Sequence, residues 1–309
     1  MKQAQQSRAA GDVRPTGDTA SSVDVPPAVE RLTIVDVTPR DGLQDAAGEL
    51  TTAEKVRLIR GLFAAGVPQV EITSFVSPRF VPKLADAEDV ARAVRGLAGA
   101  IALIPNRKGF ARAVAAKVPA VTFVVSASPR HQQANLGMPL AASLAELTAI
   151  SAERSGRVRV RGAISCAFGS PFAGEKVHPE AVAEIAATLV ERGVSEISLA
   201  DTTGVATPEG VRATIGVVRQ LVPDIPLAIH LHDAGGRAIA NVEAAIDCGV
   251  RTVESALAGL GGCPFAPNAP RNLDTERLVA WCAEHGIAIG IDADALARVR
   301  AELVSALGL

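Results

Sequence analysis

The chain contains no tyrosine, and aromatic residues account for only 3% of its 309 positions. A phenolic side chain is therefore excluded from its chemistry. There is no aromatic platform on which nucleic-acid bases could stack, no basic cluster, and a formal net charge of only −2, so a polyanionic partner is not expected. Cysteine is also sparse. Cys166, Cys248, Cys263 and Cys282 show neither framework spacing nor a Cys-x-x-Cys pair, which suits a reduced, cytoplasmic protein. No apolar run approaches the roughly 20 residues needed to span a bilayer, so no membrane association is expected. Residues 1–30 are small, polar and proline-bearing and lack the apolar core of a secretory signal. They read as a disordered tail preceding one domain over residues 31–309.

Hydrophobic residues make up 48% of the chain, ample for a large core. From residue 31 onward short apolar runs alternate with longer amphipathic stretches. Strands are expected at Leu32–Val37, Pro68–Ile72, Ala100–Leu103, Ala120–Val125, Arg157–Ile164, Glu196–Leu199, Leu227–Leu231 and Thr252–Ser255. Helical patterns such as TAEKVRLIRGLFAAG and PEAVAEIAATLVERG end in a glycine suited to a left-handed cap. Eight strand–helix units predict an α/β fold, a (β/α)8 TIM barrel, with an additional C-terminal helix over Asp292–Leu307. The rival, a doubly wound open sheet, would normally carry Gly-x-Gly-x-x-Gly after its first strand, and none is present.

A barrel places its chemistry at the C-terminal strand ends. There lie Arg40, Asp41 and Gln44 after strand 1, Glu71 ending strand 2, Asp201 after strand 6, and His230 and His232 ending strand 7. The loop after strand 8 carries Cys263 and Asn272. Residues two apart on a strand share a side, so His230 and His232 offer two imidazoles to one point. Two histidines can also simply pack. Barrel closure, however, makes strands 7, 8 and 1 neighbours, so Asp41 and Asn272 can join the pair. Two imidazoles, a carboxylate and an amide oxygen, without thiolate, suit an octahedral divalent ion with open positions, such as Mg²⁺, Mn²⁺ or Co²⁺. Asp233 points the other way and reads as structural support. His131, His178 and His285 read as surface or packing residues away from this point, and Cys166 as packing.

The segments PRDGLQD, EITSFVSPRFVPKLAD, VRGAISCAFGSPFAGE, EISLADTTGVATP, HLHD and AGLGGCPFAP together resemble the 3-hydroxy-3-methylglutaryl-CoA lyase family. The resemblance runs from about Leu32 to about Gly290, and SFVSP and the GGCP loop set it apart from condensing relatives. It implies a carbon–carbon lyase acting on an acyl-CoA with a divalent cation, Mg²⁺ or Mn²⁺. Carried over, the metal ligands are Asp41, His230, His232 and Asn272. The catalytic groups are Arg40, Glu71, Asp201 and Cys263, with His230 at the reacting centre, and Gln44 and Arg161 face or support the substrate. Retro-Claisen cleavage takes the proton from a tertiary alcohol while charge builds on a thioester enolate. A chelating cation lowers the alcohol's pKa, and a fixed arginine stabilises the enolate oxygen. The expected reaction converts 3-hydroxy-3-methylglutaryl-CoA into acetoacetate and acetyl-CoA. Alternatives are the same cleavage of another 3-substituted glutaryl-CoA, a condensing enzyme, or a non-catalytic binding protein. A homodimer is expected by resemblance and because symmetric dimers are common.

The chain departs from the family pattern at Asp45-Ala46, Ala234-Gly235, Arg271 and Arg277. Arg271 precedes the ligand Asn272 and is expected to face a carboxylate or phosphate of the acyl-CoA. Asp274 and Arg277, three apart at a helix start, are expected to pair.

Overall fold

The computed structural model describes residues 30–154, 156, 158–262 and 270–309. The tail, the expected strand start at Arg157, and Cys263 lie outside the described residues. Eight parallel strands, β1 (Thr33–Asp36), β2 (Gln69–Ser74), β3 (Ala100–Ile104), β4 (Ala120–Ser126), β5 (Arg159–Ser165), β6 (Ile197–Ala200), β7 (Leu227–His230) and β8 (Thr252–Ser255), close into a barrel in sequence order. Closure pairs Val35 with Glu254 and Asp36 with Ser255. All eight expected strands are present, displaced by two residues or fewer at their ends.

The helices are α1 (Thr52–Ala64), α2 (Ala87–Ala93), α3 (Arg107–Ala115), α4 (Pro129–Leu136), α5 (Leu140–Glu153), α6 (Pro179–Glu191), α7 (Pro208–Leu221), α8 (Ala238–Asp247), α9 (Thr275–Glu284) and α10 (Ala293–Leu307). Local chemistry sets their ends. Thr51 and Glu54 form a reciprocal capping box at α1: the threonine hydroxyl accepts from Glu54 N and the glutamate accepts from Thr51 N at 2.8 Å. The turn after α1 needs Gly66 at φ +90°, where a Cβ would also strike Gly290 O at 2.3 Å. The expected C-terminal helix is α10, capped by Asp292 and laid over α1. The contact is close enough that a Cβ on Gly61 would sit 2.9 Å from Val299 Cγ2. No helix among the described residues is long and apolar enough to cross a membrane.

The core has two parts. The larger fills the space between barrel and helices. The smaller, Val35, Val37, Ile101, Ala120 and Ala256, is a separate apolar cluster contributed by the strands and the ends of β1 and β8. Alternate inward positions further along the strands turn polar: Thr122 stands beside Arg161 and His230 beside Glu254 in register. A register shift in β2 between Glu71 and Thr73 marks the strand that carries Glu71.

Candidate active site and metal centre

The chain leaves β1 through a wide helical turn, Thr38–Gly42. Three successive amides, of Arg40, Asp41 and Gly42, converge on Val37 O at 3.2, 2.8 and 3.2 Å. Asp36 accepts from Thr38 N at 2.9 Å and from the Thr275 hydroxyl at 3.0 Å, while Thr38 Oγ1 accepts from Leu257 N at 2.7 Å. The turn is thus tied to the β8 loop and to α9, and it presents Arg40 and Asp41 at the barrel mouth.

Arg40 is held between two carboxylates, with Nε 2.5 Å from Glu71 Oε2 and Nη1 on Asp41 Oδ1. Burial opposes ionisation of Asp41, but the Arg40 charge and both imidazoles outweigh it and keep its pKa below the ordinary carboxylate value. Across from it, His230 Nε2 and His232 Nε2 lie 3.3 Å apart. Asp41, His230 and His232 each offer one ligand atom within 4.8 Å of the others, and all three are buried. Burial and the neighbouring His230 push His232 down to about 4, so its imidazole is neutral near pH 7 and carries a lone pair.

Asn272 completes the ring by pairing with His232 in an isolated antiparallel bridge. Its Nδ2 donates to Asp41 Oδ2 and to Leu260 O, both at 2.7 Å, which leaves Oδ1 buried with no hydrogen-bond partner. Gly261, at φ +99°, closes over these groups, and a Cβ there would lie 2.5 Å from Asn272 Nδ2 and 2.9 Å from Asp41 Oδ2. Two facing imidazole nitrogens, a carboxylate and an orphaned amide oxygen fit a hard divalent cation. Asp41, His230 and His232 line a cavity of about 510 Å³, together with Gln44, Glu71, Ser74, Thr122 and Asn135.

The remaining expected residues separate into those at the cavity and those behind it. Gln44 and Glu71 line it. Asp201 is buried, and its two oxygens accept from Val205 N at 3.0 Å and Ala206 N at 3.1 Å; burial pushes its pKa up to about 6. Arg161 is 1% exposed and lies inside the barrel, bonded to Glu196, Glu254 and Thr122. Arg271 is exposed, and its carbonyl accepts from Asp233 N at 2.7 Å.

Two expectations need correction. Asp274 does not pair with the Arg277 guanidinium: as the cap of α9 it accepts from the backbone N–H of Glu276 and Arg277. The Arg277 guanidinium reaches Asp233 and Gly236 O instead, because Asp233 faces away from the histidines toward α9. His131 is not remote from the site. It is buried in the first turn of α4, lines the cavity, and its Nδ1 lies 3.1 Å from Ser126 Oγ. Asp233 also accepts from Ala238 N, in keeping with a structural role.

Glu254 escapes a reading based on strand ends. It sits inside β8 with Oε2 3.2 Å from His230 Nδ1. An acidic residue within a short buried strand, at an inward position two before Ala256, is the signal that could have revealed it.

A closed parallel barrel whose C-terminal mouth joins a part-buried arginine–carboxylate pair to two facing imidazoles defines the class: a TIM-barrel enzyme whose mouth carries three residues that could hold a metal ion. The chain belongs to the HMGL-like family of lyases, whose profile matches residues 31–303. It is 42% identical over 266 residues to the mitochondrial hydroxymethylglutaryl-CoA lyase of Rattus norvegicus, covering 85% of this chain and 82% of the rat protein. It is also 42% identical over 294 residues to (R)-citramalyl-CoA lyase of Chloroflexus aurantiacus, covering 91% and 92% of the two chains. The solved HMG-CoA lyase of Acinetobacter baumannii, in complex with coenzyme A and 3-methylmalate, superposes with a TM-score of 0.85 at 39% identity, covering 90% of this chain and 92% of that one.

Proposed function

We propose that this chain cleaves a 3-hydroxyacyl-CoA by retro-Claisen chemistry, with 3-hydroxy-3-methylglutaryl-CoA as substrate and acetoacetate and acetyl-CoA as products. The observation that carries the reading is the placement of Arg40, clamped by Asp41 and Glu71, beside the two facing imidazoles at the cavity floor. Asp41, His230, His232 and Asn272 would hold Mg²⁺ or Mn²⁺, and the bound cation supplies the acidity that lets the substrate alcohol lose its proton. Arg40, unable to deprotonate and fixed in direction, stabilises the oxyanion of the thioester enolate. Glu71, which lines the cavity and holds Arg40 through one oxygen, is the catalytic carboxylate that takes the alcohol proton. Asp201 spends both oxygens on its own loop and holds that loop beneath β7. Cys263, which follows Gly262 in the sequence, carries a proton to the departing enolate. Gln44 meets the acyl group, and Arg161 supports the barrel wall behind it. The enzyme works in the cytoplasm as a homodimer, in keeping with a sequence whose four cysteines show no framework spacing and with the prevalence of symmetric dimers.

A second reading has specific support. Identity to the (R)-citramalyl-CoA lyase equals that to the rat enzyme, over more of the chain. Citramalyl-CoA carries its carboxylate directly on the hydroxyl-bearing carbon, so the same metal and arginine serve a shorter acid. Turnover on a panel of both substrates and longer 3-substituted glutaryl-CoA esters, followed by acetyl-CoA release, decides. The reading expects the highest kcat/KM on the hydroxymethylglutaryl ester. A citramalyl preference of tenfold or more replaces it with the second, and absence of acetyl-CoA from every ester removes both.

A further inference from the structure

Glu254 belongs to no step above, yet it is among the most constrained carboxylates in the molecule. It is 6% exposed, projects from β8 into the barrel, and divides its oxygens between two partners. Oε1 accepts from Arg161 Nη2 at 2.9 Å, and Oε2 lies 3.2 Å from His230 Nδ1. Arg161 is fixed in turn by Glu196, whose Oε1 accepts from Nε at 2.8 Å and from Nη2 at 2.6 Å. A line of alternating charge therefore runs from Glu196 through Arg161 and Glu254 to His230. It ends at the Nε2 that faces His232.

We propose that Glu254 is the positioning residue that sets the tautomer of His230 and so makes Nε2 the metal-binding atom. The argument is one of donors and acceptors. An ionised carboxylate can only accept, so the ring proton of neutral His230 belongs on Nδ1, and Nε2 is left with its lone pair aimed at the site. A neutral histidine side chain in water favours the opposite tautomer, so the protein must impose this one. Arg161 has two functions in the device. Its guanidinium forms an ion pair with Glu254 at 2.9 Å, which compensates the burial of the carboxylate. The guanidinium also occupies Oε1, which keeps the carboxylate from turning into the cavity to compete with Asp41 for the cation. Carboxylate partners of this kind typically strengthen a metal site by about 10- to 100-fold.

The donor-only character of Arg161 makes Glu254→Gln informative. The carboxamide must turn its oxygen to the guanidinium, which leaves its NH₂ facing His230 Nδ1. Nδ1 then accepts, the ring proton moves to Nε2, and the lone pair needed by the metal is lost. Glu254→Asp keeps an acceptor and the charge but loses reach.

This inference rests on Asp41, His230, His232 and Asn272 forming a metal centre. The first measurement is the ring-nitrogen shifts of ¹⁵N-histidine-labelled, metal-free enzyme at mildly alkaline pH, with His230 assigned by its loss in His230→Gln. The second is Mn²⁺ affinity by titration. The wild type should show His230 protonated on Nδ1. Glu254→Gln should show Nε2–H and an affinity lower by about 10- to 100-fold. Glu254→Asp should retain Nδ1–H with a smaller loss. An Nε2–H tautomer in the wild type, which does not depend on any Glu254 variant folding, overturns the proposal, as does unchanged Mn²⁺ affinity in folded Glu254→Gln. Wild-type Mn²⁺ binding that survives Asp41→Asn and His232→Gln unaltered would instead remove the metal centre, and this inference with it.

Discussion

At the scale of single residues, the site depends on groups whose freedom has been removed. Arg40 has a carboxylate on either side of its guanidinium. Arg40→Ala should therefore leave metal binding nearly intact while lowering kcat by about 10²–10³, the usual loss of one oxyanion-stabilising partner. Wild-type turnover in this variant would dismiss Arg40 from the chemistry. Arg271 is the opposite case, an exposed side chain next to the buried Asn272. If it selects the acyl group, Arg271→Gly should change the ratio of kcat/KM values between esters by tenfold or more; a common factor across the panel would assign it no role in selection. The His-x-His pair and Arg40-Asp41 are legible in the sequence because polar residues stand at the ends of apolar runs. Glu254 and His131 are not. The value of Glu254 depends on a neighbour on the adjacent strand, and His131 reaches the cavity only because α4 folds back over β4.

Among the elements, loops carry more of the site than strands do. The strands are legible because barrel strands are buried on both faces and read as short apolar runs between helical periods. The wide turn at Thr38–Gly42 has no periodic signature, since its shape follows from three amides sharing Val37 O and from ties to residues more than two hundred positions away. Arg277 illustrates the same limit: spacing on one helix suggests Asp274, but the loop after β7 supplies a better acceptor in Asp233. The β8 loop makes a testable demand. Gly261→Ala adds a methyl against Asn272 and Asp41 at a positive φ, whereas Gly286→Ala, at φ +68°, meets open space. Strain of about 1–3 kcal/mol at Gly261 should fall on the site and reduce Mn²⁺ affinity on the order of tenfold. Gly286→Ala should lower thermal stability slightly and leave Mn²⁺ affinity untouched. Equal Mn²⁺ affinities in the two variants would show that Gly261 is a turn residue only.

For the whole molecule, the barrel and its C-terminal helix follow from the count and alternation of elements, and the resemblance read from about Leu32 to about Gly290 falls within the family match over residues 31–303. Assembly is less accessible, since a dimer interface leaves no periodicity in one chain. Light scattering at micromolar concentration should give twice the mass of 31.7 kDa; a clean monomer would set the homodimer aside.

The seam between β1 and β8 joins the two ends of the domain. Asp36 meets Thr275 across 239 positions, Asp41 meets Asn272 across 231, and Thr38 meets Leu257 across 219. During synthesis Asp41, the first of the four proposed ligands, must therefore wait for the segment after the last strand, and no partial barrel can hold an ion through the full set. Contacts this distant in sequence form late and slowly. A cation at this seam would act as a clasp on the finished fold, adding RT ln(1 + [M]/Kd), or about 2.7 kcal/mol at a hundredfold excess over Kd. Chelation should then lower the melting temperature of the intact enzyme by several degrees, and reloading with Mn²⁺ should restore it.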